Sequence, residues 1–190
     1  MNHDIMTRAF DSTVAVLDKV DPGSLDAPTP CQDWDVRALT NHLLLVAAAL
    51  ELAGRGEPIP DDHWAAEDAG TFRAHAAAAT ALWAADEAWN RPVRMASMPM
   101  PAPMAVSMLV SDVVIHGWDL ARATGQEFRC DDDVAEAALA FVTGMGEQGR
   151  AMGIYAAEVP VAADASALER ALALSGRRPG DTTPGGGAAH

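Results

Sequence analysis

The stretch SDVVIHGWDLARATGQ, residues 111–126, lies in a helix that the sequence predicts from about Pro103 to the residue before Gly125. Proline suits the first turn of a helix and glycine its C-terminal end. Arg122 stands in the last turn, where a cation is favourable. Apolar residues recur at helical spacing along one face of this helix, and two polar residues lie within the same stripe. The stripe consists of Leu109, Asp112, Val113, His116 and Leu120.

Asp112 is the unusual member of this stripe. A buried, unpaired carboxylate costs several kcal/mol, so something is expected to compensate it. An arginine could do so, and so could a metal ion. His116 follows four residues later and therefore lies on the same face, one turn along the helix.

A second stripe of the same kind lies in DWDVRALTNHLLLVAAALELAGRG, residues 33–56. Its apolar face includes one histidine, in the series Leu39, His42, Leu43, Val46 and Leu50. His42 is therefore predicted to face the core. The helix can be capped by Asp33 or Asp35 and ended by Gly54 or Gly56.

His42, Asp112 and His116 together form a candidate metal site. Two imidazoles and one carboxylate are a common three-ligand set for Zn²⁺ and other first-row divalent ions, and three protein ligands leave a position open. The alternatives are a histidine hydrogen-bonded in the core and an ordinary ion pair between residues 112 and 116. Asp119 could orient His116 from behind, or it could pair with Arg122 at the surface.

Two signatures in the chain resemble a known family. TPCQDWDVRALTNHL (29–43) and SDVVIHGWDLARATGQ (111–126) resemble the N-terminal metal-binding domain of mycothiol-dependent maleylpyruvate isomerase, within the DinB/YfiT-like superfamily. The order of helices and the late segment SALERALALSGRRP are similar to those of small actinobacterial proteins of this superfamily, over about residues 5–180. The resemblance implies that His42, Asp112 and His116 bind the metal.

The resemblance also implies a function. It suggests a divalent-metal protein, with zinc expected, that acts as a mycothiol-dependent or other thiol-dependent transferase or isomerase, or as a related hydrolase. The alternative is a non-catalytic module that binds metal or a small ligand. The isomerases carry glutamate where this chain has Asp112. They also carry a larger C-terminal α/β domain, for which too few residues are expected to remain here.

The expected fold is all-α: a DinB-like four-helix bundle with additional C-terminal helices in one domain, residues 1–178, followed by a flexible tail, 179–190. Residues 90–101 are predicted to be extended, as a hairpin or a crossover. A glycine-rich loop is expected from about residue 145 onward, and it is marked by Gly144, Gly146, Gly149 and Gly153. The other predicted helices cover about 4–20, 68–88, 134–145 and 166–176.

Composition limits the classes of partner that we expect for this protein. The formal net charge is −14, which disfavours nucleic acid. No apolar run of about 20 residues and no leader peptide are recognised, so a cytoplasmic protein without membrane association is expected. An apolar face could support a homodimer. Cys31 and Cys130 are expected to be small buried or edge residues. Trp34 and Trp118 are expected to be core anchors, with a substrate platform as the alternative, and the methionines at 95–108 to be flexible core packing, with the lining of an apolar pocket as the alternative.

Overall fold

The computed structural model describes residues 1–32, 34–66, 70–95 and 98–180, and within them seven α-helices, two short 3₁₀ helices (Pro22–Ser24 and His63–Ala65) and one pair of antiparallel strands. The elements are α1 His3–Leu17, α2 Val36–Arg55, α3 Phe72–Trp83, α4 Asp86–Asn90, β1 Val93–Met95, β2 Met98–Met100, α5 Ala102–Ala123, α6 Asp132–Ala151 and α7 Ala167–Leu174. The all-α class is confirmed. The proposed cap Asp33 and the tail from residue 181 lie outside the described residues, and the domain boundary at 178 stays a prediction.

Four helices close into a ring around the core. Helix α1 packs against α3 and α5, and α2 packs against the same two helices from the other side. Helix α6 lies on α5 and α1, and α7 lies on α6. This arrangement confirms the predicted four-helix bundle with additional C-terminal helices, and it makes α2 and α5 neighbours.

The ends of α2 follow from its sequence. The Asp35 carboxylate accepts a hydrogen bond of 2.8 Å from the amide of Ala38, which satisfies a free donor of the first turn. Gly56 follows Arg55 with φ +79°, a conformation that glycine adopts without strain. Of the two proposed pairs of end residues, the structure therefore uses Asp35 and Gly56.

Helix α5 crosses α1 closely at Gly117. A Cβ on Gly117 would lie 2.5 Å from Oγ1 of Thr13 and 2.8 Å from the Phe128 ring, which leaves no room for a side chain. The same Thr13 hydroxyl donates a 3.2 Å hydrogen bond to the carbonyl of Val113. The missing side chain thus lets α1 fix the position of α5 beside His116.

The single helix predicted over 68–88 is wrong in one respect, because the chain turns between α3 and α4. Ala85 adopts an extended conformation there. The turn lets the indole of Trp89 fold back and donate a 2.8 Å hydrogen bond to the carbonyl of Trp83. The buried Trp83 in turn donates to the carbonyl of Leu50 at 2.8 Å, so tertiary contacts outweigh the helical propensity of the alanines.

The predicted glycine-rich loop is also wrong, since α6 continues through Gly144, Gly146 and Gly149 to Ala151. Gly149 is buried, and a Cβ on it would lie 2.4 Å from the ring of Tyr155. This glycine therefore serves close packing rather than a turn. Gly153, with φ +74°, lies in the connection after the helix as expected.

Within the segment predicted to be extended over 90–101, β1 and β2 pair as an antiparallel ladder, whereas Asn90 ends α4 and residues 96 and 97 lie outside the described residues. Val93 pairs with Met100 and Met95 with Met98 in antiparallel register. The amide of Ile59 donates a 2.9 Å hydrogen bond to the carbonyl of Arg94, which ties the hairpin to the loop after α2. Met95 is thereby placed in the lining of the cavity described below.

Helices α2 and α5 have the length and hydropathy that a membrane-crossing helix needs, contrary to the expectation from the sequence. In the structure both are core helices of the bundle, with most of their apolar windows buried against other helices. Core helices of this kind commonly pass such a test, so the finding gives little support to a membrane span.

Candidate metal centre

The three candidate ligands meet between the neighbouring helices α2 and α5. Nε2 of His42 lies 2.7 Å from one carboxylate oxygen of Asp112, and Nε2 of His116 lies 3.3 Å from the other. The two imidazole rings stand edge to face, with centroids 4.9 Å apart. The helical stripes therefore bring His42, Asp112 and His116 together across 70 residues of sequence.

His116 is held from behind by a buried ion pair. Its Nδ1 donates to Asp119 at 3.0 Å, and Asp119 is fully buried rather than at the surface. Arg177 donates to both oxygens of Asp119, from Nη2 at 2.8 Å and from Nε at 3.3 Å. Arg122 instead lies over the Trp118 ring, 5.8 Å from its centroid.

The charges in this cluster shift one another's pKa values. Burial alone would raise the pKa of Asp112, but the adjacent His116 and His42 lower it well below its usual range. Burial would lower the pKa of His116, yet Asp112 and Asp119 together raise it to about 9. In the absence of an ion, Asp112 is thus ionised and His116 holds a proton on each ring nitrogen.

The residues fit a divalent cation. One ligand atom from each of His42, Asp112 and His116 lies within 4.8 Å of the other two. Because Asp119 accepts the Nδ1 proton of His116, loss of the second proton leaves a lone pair on Nε2, which faces Asp112. The donor set of two imidazoles and a carboxylate suits zinc and other first-row ions.

A cavity of about 550 Å³ opens onto the three ligands. The indole of Trp34 forms one wall and lies against both imidazoles, with ring centroids 4.6 Å from His42 and 5.5 Å from His116. Tyr155, from the connection after α6, and Arg177 line the cavity as well. Its volume is in the range of small-molecule sites.

Three residues of this region were not assigned to the site by sequence reasoning. Arg177 is 58 residues from Asp119, and no local pattern predicts that pair. Trp34 was expected to be a core anchor, although it stands within the first signature. Cys31 lines the cavity, and its sulfur lies within 4.8 Å of ligand atoms of His116 and Asp119.

The other cysteine and the methionines have different roles. Burial is the main cause that raises the pKa of Cys130, and the negative charges of residues 131–133 raise it further, to about 12. Cys130 is therefore an unreactive thiol. Met95 and Met108 line the cavity, whereas Met98 and Met104 are exposed. The proposed core role of Trp118 is confirmed by its burial.

Comparison with known proteins places the chain in a family. The mycothiol maleylpyruvate isomerase N-terminal domain family matches residues 6–121. Two Mycobacterium tuberculosis proteins, uncharacterized protein MT0763 of strain CDC 1551 / Oshkosh and uncharacterized protein Rv0738 of strain ATCC 25618 / H37Rv, are each 31% identical over 175 residues. Each of these matches covers 90% of this chain and 94% of the relative.

Solved structures support the same fold. The crystal structure of the mycothiol-dependent maleylpyruvate isomerase has a TM-score of 0.53 and 17% identity, over 82% of this chain and 72% of that chain. A histidine-to-alanine mutant of the isomerase has a TM-score of 0.50 and 17% identity, over 77% and 70%. The chain belongs to the mycothiol maleylpyruvate isomerase N-terminal domain family, a DinB-like family named for a thiol-dependent isomerase.

Proposed function

We propose that this protein binds one divalent cation, zinc in the first place, through His42, Asp112 and His116, and uses it to activate a low-molecular-weight thiol for transfer or isomerisation. Mycothiol is the expected thiol, given the family. The observation that carries the proposal is the convergence of three ligand atoms within 4.8 Å of one another beside a cavity of ligand size.

The chain prepares these ligands through its own contacts. The Arg177–Asp119 pair keeps a negative charge against Nδ1 of His116, which fixes the orientation of the ring and directs Nε2 at Asp112. Asp112 stays ionised because both of its oxygens face an imidazole. The metal would thus meet an anionic ligand and a pre-oriented nitrogen.

The open coordination position is expected to face the cavity. A bound divalent ion is a Lewis acid that lowers the pKa of a coordinated thiol or water toward neutrality. Trp34 lies against both imidazoles and would limit the access of water on that side. The residues around the cavity would hold the thiol and a second substrate close together, which is the main contribution of an enclosed site.

Charge favours a thiolate in this position. A divalent cation with one carboxylate and two neutral imidazoles carries about one positive charge, which a thiolate neutralises. The Asp119–Arg177 pair adds no net charge. We expect the reaction to take place in the cytoplasm, without a membrane as a partner. Nucleic acid is not expected as a partner either, because the net charge of −14 repels its phosphate backbone.

Cobalt substitution tests the thiol step. Full-length protein loaded with Co²⁺ is titrated with mycothiol and, as the matched control, with its S-methyl derivative. We expect a thiolate-to-cobalt charge-transfer band with the free thiol alone, and its loss in His116→Ala. Metal binding without any such band would favour the alternative, a module that binds metal but does not activate a thiol.

A further inference from the structure

We infer that the second substrate admitted to this cavity is an uncharged, largely apolar molecule rather than a dicarboxylate. The inference rests on the proposed function, because it names the class of molecule that would meet the activated thiol. The expected substrate therefore differs from maleylpyruvate, a compound that carries two carboxylates.

Much of the lining of the cavity is apolar and aromatic. This part is formed by side chains from the 3₁₀ turn at His63–Ala65, from α5, from α6 and from the connection after α6, namely Trp64, Met108, Phe141, Met145, Ile154 and Tyr155. Trp64 is 39% exposed and Ile154 is also exposed, so apolar surface continues to the outside. Apolar surface of this kind favours a ligand that loses little hydration on entry.

Among the described residues that line the cavity, Arg177 is the only arginine or lysine. Its guanidinium is already engaged, since Nη2 and Nε bind both oxygens of Asp119 and Nη1 donates to the carbonyl of Ser175 at 3.2 Å. The side chain is only 9% exposed, and Asp119 is fully buried. Transfer of this cation to a substrate carboxylate would leave Asp119 buried without its partner.

The rest of the charge balance leads to the same conclusion. With a divalent ion and a thiolate in place, the cluster of His42, Asp112 and His116 is neutral, and so is the Arg177–Asp119 pair. A dianion in the cavity would therefore meet no free positive charge among the described residues. Burial of unpaired carboxylates costs several kcal/mol each, whereas an uncharged molecule avoids this cost.

Ligand competition on the full-length protein tests the inference without any assay of activity. The neutral fluorescent probe N-phenyl-1-naphthylamine is bound to the protein, both with zinc and mycothiol added and after removal of metal with a chelator. It is then displaced with succinate or with dimethyl succinate, which differ in charge. We expect the ester to displace the probe at a concentration at least about tenfold lower than succinate in both forms.

A cation placed in the wall should reverse this preference. In Met145→Arg we expect the probe to bind at least about tenfold more weakly and succinate to become the better competitor. Met152→Arg adds the same charge at the exposed end of α6 and should leave the wild-type order unchanged. The long arginine side chain can reach water from the half-buried position 145, so the variant is expected to fold.

Equal or better displacement by succinate in the wild type, or no binding of the probe, would overturn the inference. These results are distinct from failure of the proposed function. The chelated protein reports on the cavity alone, whereas the cobalt titration reports on the metal and the thiol.

Discussion

Among the described residues, two histidine–carboxylate pairs bridge helices of this bundle, and they differ in the third residue that joins them. His42 of α2 lies 2.7 Å from Asp112 of α5, and His75 of α3 lies 2.6 Å from Glu51 of α2. Both imidazoles are 19% exposed. The imidazoles are equally exposed and the pair distances are similar, whereas the side chain of Asp112 is 33% exposed and that of Glu51 is 15% exposed.

The third residue separates them. Glu51 also binds the guanidinium of Arg55, so a permanent cation balances its charge. The second partner of Asp112 is His116, an imidazole that can release its proton and offer a lone pair. In the first arrangement the carboxylate is balanced by a permanent cation, whereas the second can exchange protons for a metal ion. The account predicts that parallel substitutions in the two pairs will have different effects.

The largest effect on stability is expected for Asp119→Asn, which leaves Arg177 buried at 9% exposure without its anion. We expect the metal-free protein to lose about 3–5 kcal/mol of unfolding free energy. Glu51→Gln leaves Arg55, which is 51% exposed and open to water, so a loss of about 1 kcal/mol or less is expected. Urea unfolding measures both.

The double variant Asp119→Asn/Arg177→Met should recover much of this stability, because it removes the unpaired charge. It should not recover metal affinity, which is expected to stay about 10–100-fold below that of the wild type without the anion behind His116. A cost for Asp119→Asn no greater than that for Glu51→Gln would contradict the role given to the Arg177 pair.

The pH dependence of the metal-free protein should come next. The pKa of His116 is raised from an ordinary 6.5 to about 9, so its contribution to stability is complete below about pH 6.5. That contribution falls as the pH rises toward 9, by at most about 3 kcal/mol. Chemical unfolding of chelated protein across this range checks the sign.

Zinc should reverse this trend, since the ion competes with the proton on Nε2 of His116 and binds more tightly as the pH rises. Stability of the zinc-loaded protein that falls over the same range as steeply as that of the metal-free protein would count against the proposed ligand.

The charged ligand is tested by Asp112→Asn. Its loss is expected to weaken zinc binding by at least about 100-fold, or about 2.7 kcal/mol. Glu51→Gln removes the carboxylate of the other pair, which is 15% exposed against 33% for Asp112, and should leave zinc affinity unchanged. Competition with a chelating indicator measures both, and equal losses in the two variants would remove the distinction between the sites.

The smallest effect is expected for Gly117→Ala, where a methyl group would collide with Thr13 and Phe128 beside the site. A loss of about 1–3 kcal/mol is expected from overpacking. Gly144→Ala, in α6 with open space around its Cβ position, should instead gain about 0.5–1 kcal/mol. Thermal unfolding of the two variants compares them, and equal shifts would show that the close crossing is unimportant.

Helical periodicity in the sequence was enough to predict α1, α2 and α5 and to place His42, Asp112 and His116 on inward faces. It could not predict the break before α4 or the continuation of α6 through Gly149. Both depend on contacts between distant side chains, such as Trp83 with Trp89 and Tyr155 with Gly149. Local propensity carries no information on such contacts.

The surroundings of the site were similarly hidden. Asp119 could be related to His116 by its spacing of three residues, but its partner Arg177 comes from the chain after α7. Trp34 enters the site because the loop before α2 folds over the imidazoles. Sequence thus predicted the candidate ligands, while the residues that orient and enclose them required the fold.

Elemental analysis of protein purified without a histidine tag tests the central claim most directly. The wild type and His75→Ala, saturated with zinc and passed over a desalting column, are each expected to retain one zinc ion per chain. His42→Ala, which alters an imidazole of equal exposure in the other pair, should retain almost none. Retention of zinc by His42→Ala equal to that of the wild type would contradict the account.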